Sequence, residues 1–307
     1  MPAMNHVPKE LLPFYRQAGR AAATGLHHGA KLVKPGASAL EIVDAIEKKI
    51  KEQGVKIGFP AQISINDVAA HFCPDDDDKT ILQEGDVVKL DCGAHLNGCI
   101  GDNALTIDLS SNGQWEDLLK ASKEARDKAI KSLYPGITPH EIGKIAGGVI
   151  TSYGFQPVRN LSGHGLAPYT IHTKPSVPNY PNNDTTPIEE DHVIAIEPFA
   201  TNGQGLIYNG PNPTLFAQVA RGKPRSNMSR EVLKEIETYE GLPFTTRWLT
   251  RKFGTGKTRF ALRELTQLGI ITEYAPLPEK GKGMVAQFEN TVMVAKKPEI
   301  FTKLDDD

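Results

Sequence analysis

The stretch KPGASALEIVDAIEKKIKEQG, residues 34–54, returns one hundred residues later as YPGITPHEIGKIAGGVITSYG, residues 134–154. Pro35, Gly36, Glu41, Ile42 and Gly54 recur as Pro135, Gly136, Glu141, Ile142 and Gly154. Each copy reads as a helix-breaking Pro-Gly, then Ser38 or Thr138 placed to cap a new helix, then a terminating glycine. A helical pattern precedes each copy, over residues 15–33 and 115–133, and strand patterns follow. In the first half, residues 87–91 and 104–107 flank Asn97-Gly98, a strong hairpin signal. In the second, residues 193–197 precede a strand pattern at 206–208, across Gly203 and Gly205. Two helix–helix–hairpin halves predict a pseudo-symmetric α+β domain, with the functional groups in a pocket between the halves.

Composition narrows the function classes. Of 307 residues, 39% are hydrophobic and 28 are glycine, which excludes a mainly disordered, collagenous or coiled-coil chain. The formal net charge is -2, so nothing global points to DNA or a membrane surface. Cys73, Cys92 and Cys99 have no disulfide or zinc-ligand spacing and read as small buried hydrophobes. No apolar run reaches membrane-span length, and the opening MPAMNHVPKE has no signal-peptide core, so a cytoplasmic location is expected.

The balance hides an asymmetry. Residues 214–274 hold eleven Lys and Arg against six Asp and Glu, a charge of +5, which leaves -7 for the rest. Helical patterns at 230–239, 245–252 and 257–268 precede Ile270-Ile271, and a strand pattern resumes over 284–295. That order predicts a small winged-helix-like unit (214–274) inserted in a larger domain made of residues 1–213 and 275–307. Gly254-Thr255-Gly256-Lys257-Thr258 lacks the first glycine and the preceding strand of a phosphate loop, and is expected to start a helix. The acidic run at 75–78 and the tail at 304–307 read as solvated charge.

Carboxylates supply the chemistry. With a two-residue loop at Asn97-Gly98, Asp91 faces Ala104 and Asp102 faces Gly93, so the two acids are diagonal neighbours on one sheet face. A shared cation would relieve their repulsion. Glu197 closes an apolar strand, and Glu289 lies inside another. His164 lies between Gly163 and Gly165 and, taken alone, reads as a loop histidine. Four carboxylates and one imidazole suit two divalent first-row ions with bridging oxygens.

At this point the motifs carry a resemblance. Gly58-Phe59-Pro60, Asn66, Ala69-Ala70-His71, LDCGAHLNGCIGD, LSGHGLAPYTIH, VIAIEPFATNGQG and QFENTVMV together resemble a type II methionine aminopeptidase of peptidase family M24. The likeness is to the short, archaeal-like form and covers essentially the whole chain. It implies the pita-bread fold and removal of the initiator Met when the next residue is small. It implies Asp91, Asp102, His164, Glu197 and Glu289 as ligands of two ions (Co, Mn, Fe, Ni or Zn), Asp102 and Glu289 bridging. Glu197 would also accept the proton of the attacking water. His71 and His172 would contact substrate, with His71 assisting the departing peptide, and Phe59 and Ile171 would line the Met pocket. Asn290 departs from the family pattern, which often has His there; Cys92 stands where an aromatic residue is common. The implied partners are nascent-chain N-termini, with a transient ribosome contact through the basic insertion. A monomer is expected, with no DNA or membrane partner. An Xaa-Pro peptidase shares the ligand pattern, but only 90 residues precede Asp91 here. A non-catalytic relative that binds nucleic acid or the ribosome would have lost ligands, and all five positions are filled.

Overall fold

In the computed structural model, residues 7–304 are described; the chain ends, including most of the opening segment and the acidic tail, lie outside them. The first half runs α1 (Leu12–Ala30), α2 (Ala39–Lys51), β1 (Lys56–Ile65), β2 (Val87–Leu96) and β3 (Cys99–Asp108). The second runs α3 (Glu116–Lys131), α4 (Pro139–Ser152), β4 (Gln156–Pro157), β5 (Ser162–Ala167), β6 (Thr170–Pro178), β7 (Val193–Ile196) and β8 (Phe199–Thr201).

The repeat folds the same way twice, for the same local reasons. Ser38 accepts a hydrogen bond from the Glu41 N–H, and Thr138 and Glu141 form a reciprocal capping box. Gly36 and Gly136 have φ of +85° and +102°, which a side chain would resist. Each turn is then pinned to a later segment. Gly36 N–H donates to Leu82 (2.8 Å) and Leu82 N–H to Ala37; Gly136 N–H donates to Ile188 (2.7 Å) and Ile188 N–H to Ile137. These pins expose a second correspondence, EGDVVKLD (84–91) with EDHVIAIE (190–197), in which Asp91 matches Glu197.

The main sheet runs β1-β2-β3-β13-β7-β5-β6, where β13 is Glu289–Met293. The halves therefore meet between β3 and β13. Helices cover the outer face, with one apolar cluster under α1 and α2 and another joining α3, α4 and the second-half strands. The β2–β3 register follows the two-residue loop throughout: Asp91 pairs with Ala104 and Gly93 with Asp102. Asn97 and Gly98 take the positive φ values (+51° and +84°) that such a turn needs.

Two expectations are corrected. Residues 206–208 form no strand; Ile207 makes a single bridge to Glu279. β7 pairs instead with β5 on one side and, on the other, with β13, reached only after residues 214–274. His164 is not in a loop but in β5, between β6 and β7. Gly163 and Gly165 allow this crowding, since an added Cβ would lie 2.2 Å from the Ala195 and Lys174 oxygens respectively.

Between the halves and the last strands run β9 (Leu215–Gln218), α5 (Asn227–Glu237), β10 (Phe244–Thr245), α6 (Thr246–Phe253), α7 (Thr255–Gln267) and β11 (Ile271–Tyr274). They make a three-stranded sheet with its own apolar cluster around Phe244, Leu249 and Leu265. Gly254 ends α6 and precedes α7, as expected of a helix start. The chain closes with β12 (Val285–Gln287), β13 and β14 (Glu299–Ile300). All three cysteines are free and buried.

Candidate metal centre

The inner sheet face gathers the four carboxylates. Asp91 and Asp102 come from the first-half hairpin, Glu197 from the end of β7, and Glu289 from the start of β13. Asp102 is 3% exposed, Glu289 1% and His164 8%. One ligand atom each from Asp102, His164 and Glu289 fall within 4.8 Å of one another. His164 Nε2 is 3.7 Å from Asp102 Oδ2 and 3.5 Å from Glu197 Oε1.

Neighbours hold the donors in place. Asp102 N–H donates to Thr291 Oγ1 (2.7 Å), and that hydroxyl donates back to the Asp102 carbonyl (2.9 Å). Thr106 on β3 clasps the main chain of Gln287 in the same manner. Gln287 Nε2 then donates to Glu197 Oε2 at 3.2 Å. Gln287, Thr291 and Thr106 were not singled out by sequence reasoning, although Gln287 and Thr291 lie on the Glu289 face of the alternating strand.

Electrostatics show what is missing. Burial pushes the Asp91 carboxyl up to about 7. Burial, then repulsion from the neighbouring acids, holds Asp102, Glu197 and Glu289 well above the carboxylate range. Burial also pushes His164 down to about 3, so it stays neutral and keeps a lone pair free. His164 is the one basic side chain within ion-pair distance of these acids among the described residues. Asp91 Oδ1 and Glu289 Oε1 are buried and accept no hydrogen bond there. Such groups are costly without a partner. Four oxygen donors and one imidazole, with lone pairs unused, fit divalent cations.

The acids open into a cavity of about 140 Å³, and all nine residues expected at the site line it. Phe59 and Ile171 are buried walls, at 5% and 7% exposure. His71 hangs on a positive-φ backbone (+68°), its N–H donating to Gln62 Oε1 at 2.8 Å. Burial, and then the nearby His172, push His71 down to about 4. His172 stands 4.6 Å from the His164 ring, and Tyr274 lies 5.8 Å from His71 and 6.1 Å from His172. Tyr274, Leu215 and Pro243, all from residues 214–274, complete the cavity wall; no local pattern marks them in the sequence.

The pattern of metallopeptidase family M24 matches residues 14–296. The chain belongs to family M24. The methionine aminopeptidase of Archaeoglobus fulgidus is 41% identical to this M24 chain over 279 residues, 91% of this chain and 93% of that one. In solved structures the fold recurs in a methionine aminopeptidase from Thermotoga maritima, with a TM-score of 0.71, 21% identity and coverage of 98% and 100%. It recurs also in a prolidase from Pyrococcus furiosus, with a TM-score of 0.64, 20% identity and coverage of 98% and 66%. These likenesses identify the architecture as a pita-bread α+β fold.

The basic charge of residues 214–274 has a structural use. Arg247, fully buried, pairs with Asp44 and Glu47 of α2. Arg251 pairs with Asp44 (2.7 Å) and with Asp76 (2.6 Å), so the acidic run at 75–78 is not simply solvated. Lys252 and Lys257 pair with Glu235 and Glu231.

Proposed function

We propose that the chain is a metal-dependent aminopeptidase of the short type II form, removing the initiator Met of nascent polypeptides when the second residue is small. The observation that carries the proposal is the convergence of four carboxylates, Asp102 and Glu289 fully buried and Asp91 and Glu197 nearly so, with a neutral His164 and no Lys or Arg ion-pair partner among the described residues, at the floor of a cavity with apolar walls. Asp91, Asp102, His164, Glu197 and Glu289 would hold two divalent ions. When bound, the ions lower the pKa of water and polarise the scissile carbonyl.

The chain's own groups do the rest. Glu197 accepts the proton from the attacking water, held in position by Gln287 on its Oε2. Phe59 and Ile171 receive the Met side chain, whose full burial contributes roughly 1.5–3 kcal/mol. His172, exposed at the mouth, positions the peptide. Neutral His71, its Nδ1–H directed at the Ala275 carbonyl (3.3 Å), turns Nε2 toward the departing peptide and assists its release. Residues 214–274 form an inserted unit that walls the cavity, attached to a body made of 1–213 and 275–307. No helix among the described residues is long and apolar enough to cross a membrane; the site of action is the cytoplasm, where nascent chains emerge. A transient ribosome contact would fall to cations such as Arg221, Lys223, Arg259 and Arg263, which form no ion pair among the described residues, rather than to the docking cations Arg247 and Arg251 or the internally paired Lys252 and Lys257.

The test is a peptide panel. Metal-loaded protein is expected to release Met from Met-Ala-Ser peptides and to leave Xaa-Pro dipeptides largely intact. Preference for Xaa-Pro dipeptides would replace this reading with a prolidase-like one.

A further inference from the structure

We propose that a cleft on the outer face of the sheet binds a small phosphate-bearing molecule of mononucleotide size. The cleft lies behind the candidate metal centre, between α1 and α3 where the halves meet, and has a volume of about 610 Å³. That is within the range of small-molecule sites. Its rim carries Lys123, Arg126, Lys131 and Lys303. Lys123 and Arg126, one turn apart on α3, and Lys131 at its last residue all line the same opening.

The charge is uncompensated. Asp127 is the one acid lining the cleft, and its Oδ1 is taken by Arg126 at 2.6 and 2.8 Å. Arg126 is held over the Phe288 ring, 5.6 Å from its centroid, with its side chain only 15% exposed. Lys123, Lys131 and Lys303 are exposed and form no ion pair among the described residues. Their mutual repulsion is relieved by a convergent anion. Lysines flanking a guanidinium suit a phosphate group.

The floor supplies an independent sign. Asn103, 3% exposed, lines the cleft. Its Oδ1 accepts from Asn290 at 3.5 Å, yet its Nδ2 donates no hydrogen bond among the described residues. A buried amide donor without an acceptor is costly, so a small turn of this side chain toward a ligand oxygen in the cleft it lines would be favoured. Apolar Leu26 and Leu105 offer a surface for the rest of the molecule. The cations surround a concavity instead of following a line, which favours a small molecule over a nucleic-acid strand.

Calorimetric titration of the full chain with pyrophosphate and with AMP, metal-loaded and metal-free, tests this. Saturable one-to-one binding in both states is expected, weakened about ten-fold or more by Lys123→Ala/Lys131→Ala. That variant alters exposed side chains only and should keep the native melting temperature and ligand-free peptidase turnover. The proposal is overturned by absence of saturable binding, by binding that needs the metal, or by affinity unchanged in the variant. Tighter, lysine-dependent binding of single-stranded RNA than of AMP would overturn it too, making the cleft a nucleic-acid surface.

Discussion

Glu47 and Glu279 are 4% and 0% exposed, as deeply buried as Asp102 and Glu289, at 3% and 1%. Their surroundings differ. Glu47 pairs with the Arg247 guanidinium and accepts from Trp248 Nε1 (2.8 Å) and the Ala61 N–H (3.2 Å). Glu279 accepts four main-chain N–H groups, from Gln204, Gly205, Gly281 and Gly283. Both acids are satisfied by the protein and hold pieces of it together: α2 to α6 in one case, the loops at 204–205 and 279–283 in the other. Asp91, Asp102, Glu197 and Glu289 instead face one another across a cavity, with oxygens left over. Burial alone therefore does not mark a functional acid; burial without protein donors does.

The comparison is broken most strongly at the ligands. Asp102→Ala or His164→Ala should lower Met release by a factor on the order of 10³ or more, because the change removes charge stabilisation at the reacting carbonyl. Metal-free stability should hold or rise in Asp102→Ala, since one repelling carboxyl is gone. Paired activity and thermal-unfolding measurements check both halves of that statement.

At the satisfied acid the pattern should invert. Glu47→Ala takes the buried carboxylate from Arg247, leaving it only that of the partly exposed Asp44, and should cost about 3 kcal/mol of stability in denaturant unfolding. Replacing the pair together, as Glu47→Leu/Arg247→Met, should recover part of the loss.

Proton linkage sharpens the contrast. The Asp91 carboxyl, raised to about 7, exceeds its unfolded value near 3.9, so the folded metal-free chain binds more protons between those pH values. That contribution is present below pH 4 and is lost as pH rises through about 7. His164 and His71, pushed down to about 3 and about 4, act in the other sense: stability falls as pH drops below about 6.5 through those values. Subtracting the melting curves of Asp91→Asn from those of the native metal-free chain isolates the carboxyl, and the variant's advantage should grow from pH 4 to pH 7.

The smallest expected effect lies one step behind the ligands. Thr291→Val removes the hydroxyl that clasps both main-chain groups of Asp102 and should cost about 1–3 kcal/mol. Metal affinity should weaken about 10–100-fold, as when other groups supporting a ligand are removed. Competition with a chelator reads that change.

How much of this was legible depended on distance along the chain. The Asn97-Gly98 hairpin and the capped repeat are specified by adjacent residues, so their geometry could be read directly. The Asp91–Asp102 face followed from that register. His164 and the roles of Glu197 and Glu289 came through the family resemblance, because the β5 and β13 pairings join segments far apart in sequence. The same separation hid Arg247–Glu47 and Arg251–Asp76, so the docking share of the +5 over residues 214–274 could not be read from the sequence. Tyr274 was missed because a single aromatic at the end of β11 has no periodic partner.

Calorimetric titration of the metal-free chain with Mn²⁺ or Co²⁺ at neutral pH tests the central claim most directly. Unsatisfied, partly protonated carboxyls predict saturable binding of two ions, with protons released and the melting temperature raised, and with binding sharply weakened in Asp102→Asn and Glu289→Gln. Absence of saturable binding, or affinity unaltered in both variants, would contradict it.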